Sequence, residues 1–278
     1  MSQKPAFKSS ADAVTLLTRG ASLSYLGVVL LLPLAALGFE ALRPGPRVFF
    51  EALSDPLARY ALGLSFTLAL AMAVVNAVIG TATAWVLVHR DFPGKALMNS
   101  LIDLPFAVPT VVAGLMLVAL YGPSSTMGLL LERNGVPLIY HRPGVAVALL
   151  FVTYPFVIRS VQPVWLELDP AEEEAAATLG ANHWTTFFAV TLPALRPAVL
   201  SGAALAFSRA LGEFGGISLV AGNRPLDTQT ASLYVYGAIE GDRTQVAAAV
   251  SIVLLAASFA VLLILNSLQN NAVKLDSP

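Results

Sequence analysis

Two long runs without a charged residue, residues 61–88 and 244–273, constrain the fold more than any other feature of the sequence. A helix crosses the hydrocarbon core of a bilayer with about 20 apolar residues, and both runs exceed that length. Only helices and closed barrels satisfy their backbone hydrogen bonds within lipid. The composition agrees, because 12% of the residues are charged, about half the usual fraction of a soluble domain. The sequence therefore predicts an all-α integral membrane protein.

About six membrane-spanning helices are predicted along the chain. They are residues 23–39, 61–88, 101–121, 144–165, 194–220 and a segment within 244–273. Pro105 and Pro109 are expected to break the first part of the third span, and the apolar piece 231–239 is too short to cross. This gives an N-terminal tail (1–20), a transmembrane domain (21–272) and a C-terminal tail (273–278). The loops on the two sides of the membrane carry equal numbers of basic residues, so the positive-inside rule assigns no orientation.

Several classes of function lack their sequence signatures here. The sequence has no G-x-x-x-x-G-K-[ST] phosphate loop, so the chain is not expected to hydrolyse ATP, and it has no G-x-S-x-G or H-E-x-x-H motif. It contains no cysteine. Its three histidines, His89, His141 and His183, lack the spacing of a metal site. No catalytic residue and no metal ligand is predicted.

Residues 169–193 form the longest polar interruption with helical character. Asp169 is expected to cap a first helix, and Gly180 to end that helix in the left-handed conformation. Asn182 is then expected to cap a second helix that stops before Pro193. That second helix carries three aromatic residues at helical spacing: Trp184, Phe187 and Phe188. The pattern predicts a helix, a glycine turn and a helix outside the membrane, between the fourth and fifth spans.

The fifth predicted span contains two charged residues near its middle, Arg209 and Glu213. Ionisable residues at that depth are costly and usually face a protein interior or a water-filled path. Their i, i+4 spacing allows them to pair, and Gly212 between them weakens the helix. Two interpretations stay open: a polar element of a gate or an anion path, or a structural ion pair that fixes helix packing.

The interruption also carries a motif with fixed spacing. It runs E-A-A-x3-G-x9-V-x-L-P, formed by Glu174, Ala175, Ala176, Gly180, Leu192 and Pro193 with Val190. This motif resembles the EAA loop of ABC importer permeases. The resemblance implies a cytoplasmic loop whose coupling helix binds in a cleft of a separate ATPase subunit. It also implies that both termini are cytoplasmic.

The resemblance extends over roughly residues 57–270. Residues 209–215, with 221–223 after them, are similar to molybdate and sulfate permeases, and residues 155–163 and 230–240 are most similar to the CysT-type subunit of sulfate/thiosulfate importers. This implies a type I ABC importer permease fold in the cytoplasmic (inner) membrane of a bacterium. It also implies sulfate or thiosulfate as the substrate. The charges within the predicted fifth span lead us to assign a path or gate to Arg209, Gly212 and Glu213.

The same resemblance implies a set of partners. The path would form with a second permease subunit, either a CysW-type subunit or a second copy. Two ATPase subunits would bind ATP and Mg²⁺, so no cofactor is expected in this chain. A periplasmic or lipoprotein sulfate-binding protein would deliver the anion. The alternatives are a molybdate or tungstate permease, a secondary carrier driven by an ion gradient, and a structural membrane protein without transport activity.

Overall fold

The computed structural model describes residues 7–275, and every regular element in that range is helical. The helices are α1 (Phe7–Leu26), α2 (Leu32–Leu42), α3 (Pro46–Ser54), α4 (Pro56–His89), α5 (Lys95–Ile102), α6 (Leu104–Ala107), α7 (Thr110–Tyr121), α8 (Thr126–Arg133), α9 (Arg142–Glu167), α10 (Pro170–Thr178), α11 (His183–Thr186), α12 (Leu192–Leu211), α13 (Gly215–Val220), α14 (Ala231–Glu240) and α15 (Thr244–Leu275). Two π turns, Gly27–Leu31 and Phe187–Thr191, join α1 to α2 and α11 to α12.

Within residues 7–275, five helices are long and apolar enough to cross a membrane. They are Thr18–Leu42, Pro56–His89, Arg142–Glu167, His183–Leu211 and Thr244–Ile264. A sixth crossing results if α7 and α8, which are bent by 64° relative to each other, count as one broken span. The predicted all-α membrane fold with about six spans is confirmed.

The third predicted span, residues 101–121, is broken in its first part, as expected, and ends at Tyr121. The chain between Lys95 and Tyr121 forms three helices, of which α7 is the longest. Pro105 and Pro109 interrupt the backbone ladder, as expected. In addition, the Arg159 guanidinium on α9 donates to both carboxylate oxygens of Asp103, at 2.7 and 2.8 Å. This bidentate pair fixes the broken segment against α9.

The predicted tails lie partly outside the described residues. Residues 1–6 and 276–278 belong to this undescribed part. The rest of the predicted N-terminal tail is helical, because α1 begins at Phe7. Helix α15 likewise continues to Leu275.

Both π turns end two residues before a proline. The first precedes Pro33 and the second precedes Pro193. A proline has no N–H and its ring displaces the preceding turn, which ends or bends an ordinary helix. The wider π turn absorbs this misfit. In the second turn the Leu192 N–H donates to the Phe187 carbonyl, five residues earlier. Both helices therefore continue through their prolines.

Helices α4, α9 and α12 form the centre of the fold. A Cβ on Gly80 of α4 would lie 2.9 Å from Val157 Cβ, and a Cβ on Gly202 of α12 would lie 2.7 Å from Val157 Cα. The two glycines thus let both helices approach α9 closely at one residue, as small residues do in membrane proteins. The buried Asn76 amide donates to the Thr153 hydroxyl at 2.8 Å and ties α4 to α9. This three-helix centre fixes the position of α12 and of its C-terminal end at Leu211.

Helices α7 and α13 cross where two glycines meet. A Cβ on Gly114 would lie 2.6 Å from the carbonyl oxygen of Gly216 and 2.9 Å from its Cα. We therefore expect Gly114→Ala to force the helices apart and to destabilise the protein by about 1–3 kcal/mol. Thermal unfolding of the detergent-solubilised protein measures this change. Gly63→Ala on α4, where an added Cβ meets nothing within 4 Å, is the matched control. Equal melting temperatures of the two variants would contradict the prediction.

Candidate functional site

The predicted turn between α10 and α11 is present, and both of its caps are as expected. The Asp169 carboxylate accepts a hydrogen bond from the Ala171 N–H at 2.9 Å. The Asn182 side chain accepts one from the Thr185 N–H, also at 2.9 Å. Gly180 has a φ of +85°, the left-handed conformation that ends many helices. We call residues 169–182 the coupling turn.

The second helix of this region does not stop before Pro193, so that prediction is wrong. Helix α11 continues through the π turn Phe187–Thr191 into α12, and His183–Leu211 is one candidate span. The polar interruption is therefore shorter than predicted. A single helical rod leads from the coupling turn into the membrane.

The coupling turn presents an exposed surface. Glu174, Ala175 and Gly180 of the EAA motif are exposed, while Ala176 and Leu192 are half-buried. Three large apolar side chains extend this surface: Leu179, Trp184 and Phe188, which are 89%, 74% and 59% exposed. Exposed apolar groups of this size mark an interaction surface or a membrane boundary.

The opposite side of the coupling turn is attached to the spans. The Thr191 hydroxyl donates to the Glu173 carboxylate at 2.7 Å. Phe187 packs against the buried cluster that includes Leu87, Val161 and Leu195. Helix α10 is therefore linked to the cluster formed by α4, α9 and α12 through the π turn Phe187–Thr191.

The fifth predicted span is broken. Helix α12 ends at Leu211, and the short helix α13 begins at Gly215. Arg209 and Glu213 consequently lie at a helix end rather than in the middle of a continuous span. The helix is interrupted because the Glu213 carboxylate accepts a hydrogen bond from the Gly216 N–H at 2.7 Å. This side chain takes the place of the backbone carbonyl that would accept the bond in a continuous helix.

The ion pair expected from the i, i+4 spacing is present. Arg209 Nη1 lies 2.7 Å from Glu213 Oε2. The Glu213 side chain is 1% exposed and that of Arg209 is 34% exposed. The buried carboxylate is therefore fully occupied, whereas part of the guanidinium faces outward. Gly212, between them, is exposed. The role of these residues in a path or gate stays a prediction.

The sequence interpretation missed two residues at this break. The Ser232 hydroxyl donates to the Glu213 carbonyl at 2.7 Å, and the rings of Phe214 and Tyr236 lie 4.9 Å apart. Both new residues belong to α14, the apolar piece that is too short to cross the membrane. Its helical spacing places Ser232 and Tyr236 on one face, but nothing in the sequence indicates that this face meets Glu213 and Phe214, which follow α12.

The loop between α13 and α14 is held at the end of the protein opposite the coupling turn. The Arg142 guanidinium at the start of α9 lies 3.3 Å from the Asp227 carboxylate and donates to the Tyr60 hydroxyl at 2.6 Å. Arg224 pairs with the same carboxylate at 2.7 Å. Asn223 and Leu226 have positive φ values of 48° and 56°. Such strain persists only where the surroundings fix it, so this loop is preformed.

Burial changes the pKa of Tyr234 on α14. Desolvation, followed by its hydrogen bond to Asp55, raises the pKa of Tyr234 to about 12. The hydroxyl therefore stays protonated and donates to the Asp55 carboxylate at 2.9 Å. This bond ties α14 to the first residues of α4.

Comparison with known families identifies this arrangement. Residues 76–274 match the family described as "Binding-protein-dependent transport system inner membrane component". The chain belongs to this family. The resemblance to ABC importer permeases is thereby confirmed, and the binding of an ATPase subunit by the EAA residues stays a prediction.

Relatives at about 40% identity cover most of the chain. The "Sulfate transport system permease protein CysT" of Escherichia coli (strain K12) is 40% identical over 254 residues, which are 91% of this chain and 92% of that protein. The "Sulfate transport system permease protein CysW" of Synechococcus elongatus is 42% identical over 228 residues, which are 82% of this chain and 80% of that protein.

Solved structures share the fold at low sequence identity. A bacterial alginate ABC transporter in complex with its pentasaccharide-bound periplasmic protein matches with a TM-score of 0.76 and 18% identity, over 96% of this chain and 98% of that one. The MetNI methionine ABC transporter matches with a TM-score of 0.55 and 18% identity, over 78% of this chain and 98% of that one. The chain is a multi-pass inner-membrane permease subunit of the type I ABC importer fold.

Proposed function

We propose that this permease imports sulfate, or the related thiosulfate, across the cytoplasmic membrane. The observation that carries the proposal is its similarity, over more than four fifths of the chain, to both the CysT and the CysW sulfate permeases. Both of those proteins carry sulfate transport in their names. The chain has no phosphate loop of its own, so the energy for import comes from a separate subunit.

The proposed orientation places the coupling turn in the cytoplasm, and with it both termini. The exposed EAA residues and the apolar side chains of Leu179, Trp184 and Phe188 then bind an ATPase subunit, which holds ATP and Mg²⁺. The preformed loop between α13 and α14 lies on the periplasmic side, where a sulfate-binding protein delivers the anion. A second permease subunit, of CysW type or a second copy, completes the path.

The break at the end of α12 is the part of the chain that we assign to the path. Arg209 supplies a partly exposed cation at membrane depth, and Glu213 and Gly212 set the shape of the chain around it. An exposed guanidinium within the hydrocarbon region is stable only against water or protein. This supports a position at the interface with the second permease subunit rather than against lipid.

Uptake of radiolabelled sulfate into proteoliposomes tests the proposal. The vesicles contain this permease with its partner permease and ATPase subunits, and binding protein is added outside. We expect uptake that requires both internal ATP and the loaded binding protein. Sulfate uptake in the presence of excess molybdate distinguishes a sulfate permease from a molybdate permease, the first alternative. Uptake that prefers molybdate, or that persists without ATP under an ion gradient, would overturn the proposal.

A further inference from the structure

Helix α14 places a hydroxyl group at the outer side of the break. The Ala231 N–H donates to the Ser65 hydroxyl at 2.8 Å, and Tyr234 donates to Asp55 at 2.9 Å. From Ser65 to Asp55, α4 rises by ten residues, which is about 15 Å. Helix α14 therefore ascends beside α4 from the level of the break to the outer end of that helix. Tyr236 lies above the break, towards the periplasmic side.

Tyr236 shares its surroundings with the charged break. Its ring contacts that of Phe214, which directly follows Glu213. The next turn down on the same face of α14 is Ser232, which is bonded to the Glu213 carbonyl. The Tyr236 side chain is nevertheless 45% exposed, so it can be reached from outside the subunit.

Arg209 and Tyr236 each precede a carboxylate by four residues. Arg209 pairs with the buried Glu213, whereas Tyr236 lies one turn before the exposed Glu240. A carboxylate is itself an oxyanion, so the contact between Arg209 and Glu213 has the chemistry that a guanidinium would offer to a sulfate oxygen. The Tyr236 hydroxyl can turn to an anion without exposing a buried charge, because the carboxylate next to it is already exposed.

We infer that Tyr236 lines the outer part of the anion path and donates a hydrogen bond from its phenolic hydroxyl to the passing oxyanion. The inference rests on the proposed function and assigns a residue that acts above Arg209. The competing explanation is an aromatic side chain at the lipid boundary, where tyrosines are common. The two explanations differ in two expectations. A residue of the path is in contact with water, and its hydroxyl is required for transport.

Thiol labelling tests the position, because the chain contains no cysteine. Tyr236→Cys is introduced into the assembled complex, which is treated from the outer side with a membrane-impermeant thiosulfonate reagent. We expect labelling that sulfate-loaded binding protein slows severalfold. Leu30→Cys, at a side chain 54% exposed in the middle of the first span, is the control and should stay unlabelled. A Tyr236→Cys variant as unreactive as this control would overturn the inference.

Two further variants test the hydroxyl. Tyr236→Phe keeps the ring and is expected to lower the number of sulfate ions imported per ATP by about tenfold, whereas Glu240→Gln keeps or raises it. If the hydroxyl only braced α14 through Glu240, both variants would lose the same amount, and that result would overturn the inference. Glu132→Gln, an exposed carboxylate on α8 at the same side, controls for the charge change.

The outcomes for this inference and for the proposed function are distinct. If the wild-type complex imports sulfate but Tyr236→Cys is unreactive, or Tyr236→Phe behaves as wild type, only the inference fails. A wild-type complex that imports no sulfate overturns the proposed function itself.

Discussion

Gly180→Val is expected to lower ATP-driven import by at least tenfold while the spans still insert and fold. Gly180 has a φ of +85° and a Cβ there would meet nothing within 4 Å. The substitution therefore acts through the backbone alone, because a β-branched residue is a strong outlier in the left-handed region. Relief of that strain changes the angle between α10 and α11, and so the surface offered to the ATPase. Import and ATP hydrolysis, measured in the same proteoliposomes, report the loss of coupling.

The chain offers a matched control for this substitution. Gly135, between α8 and α9 on the opposite side of the protein, has a φ of +75° and the same open surroundings. Gly135→Val thus imposes a similar local strain away from the coupling turn, and it is expected to leave the ratio of import to ATP hydrolysis unchanged. Asparagine tolerates the left-handed conformation, so Gly180→Asn should retain most of the coupling between ATP hydrolysis and import. Normal coupled import by Gly180→Val would refute the role given to the turn.

Arg209→Ala is expected to reduce both the stability and the transport activity of the complex. The substitution leaves the Glu213 carboxylate, which is 1% exposed, without its cation. Removal of one partner from a buried ion pair typically costs about 3–5 kcal/mol. Size-exclusion chromatography and thermal unfolding measure the effect on assembly, and sulfate uptake per assembled complex measures the effect on transport.

A double variant separates the two effects. Arg209→Ala combined with Glu213→Gln removes both charges, and the glutamine oxygen can still accept the Gly216 N–H. We expect this variant to recover the melting temperature but to import at less than a tenth of the wild-type rate, because the guanidinium is absent from the path. If the double variant assembles and transports normally, the pair is a structural ion pair and the path lies elsewhere.

The local signals of the coupling turn were readable from the sequence. Asp169, Gly180 and Asn182 act through short-range hydrogen bonds and backbone preferences, which residue type and spacing determine. The long apolar spans were equally clear, since length and composition alone identify them. These features require no knowledge of which helices are neighbours.

The wrong predictions concern features that residue type and spacing do not determine. Pro193 was expected to end a helix, but the π turn before it allows the helix to continue, and such turns have no simple sequence signature. The fifth span is predicted over residues 194–220 with a helix weakened at Gly212, but the helix ends at Leu211, where the Glu213 side chain accepts the Gly216 N–H. The contacts of Ser232 and Tyr236 with this break depend on how α14 folds back. That arrangement follows from tertiary packing, so the pattern of one chain segment cannot reveal it.

The π turn Phe187–Thr191 has a consequence for how force travels through the molecule. From His183 to Leu211 the chain is one candidate span of 29 residues, so a push on the coupling turn is carried along a strut of about 40 Å. A π turn accommodates more residues per turn than the rest of the strut. If the extra residue of the π turn shifts to another position along the helix, the part of the helix that ends at Leu211 rotates about its own axis. Arg209 and Gly212 lie at that end, so a small displacement of the coupling turn can be converted into rotation at the break between α12 and α13.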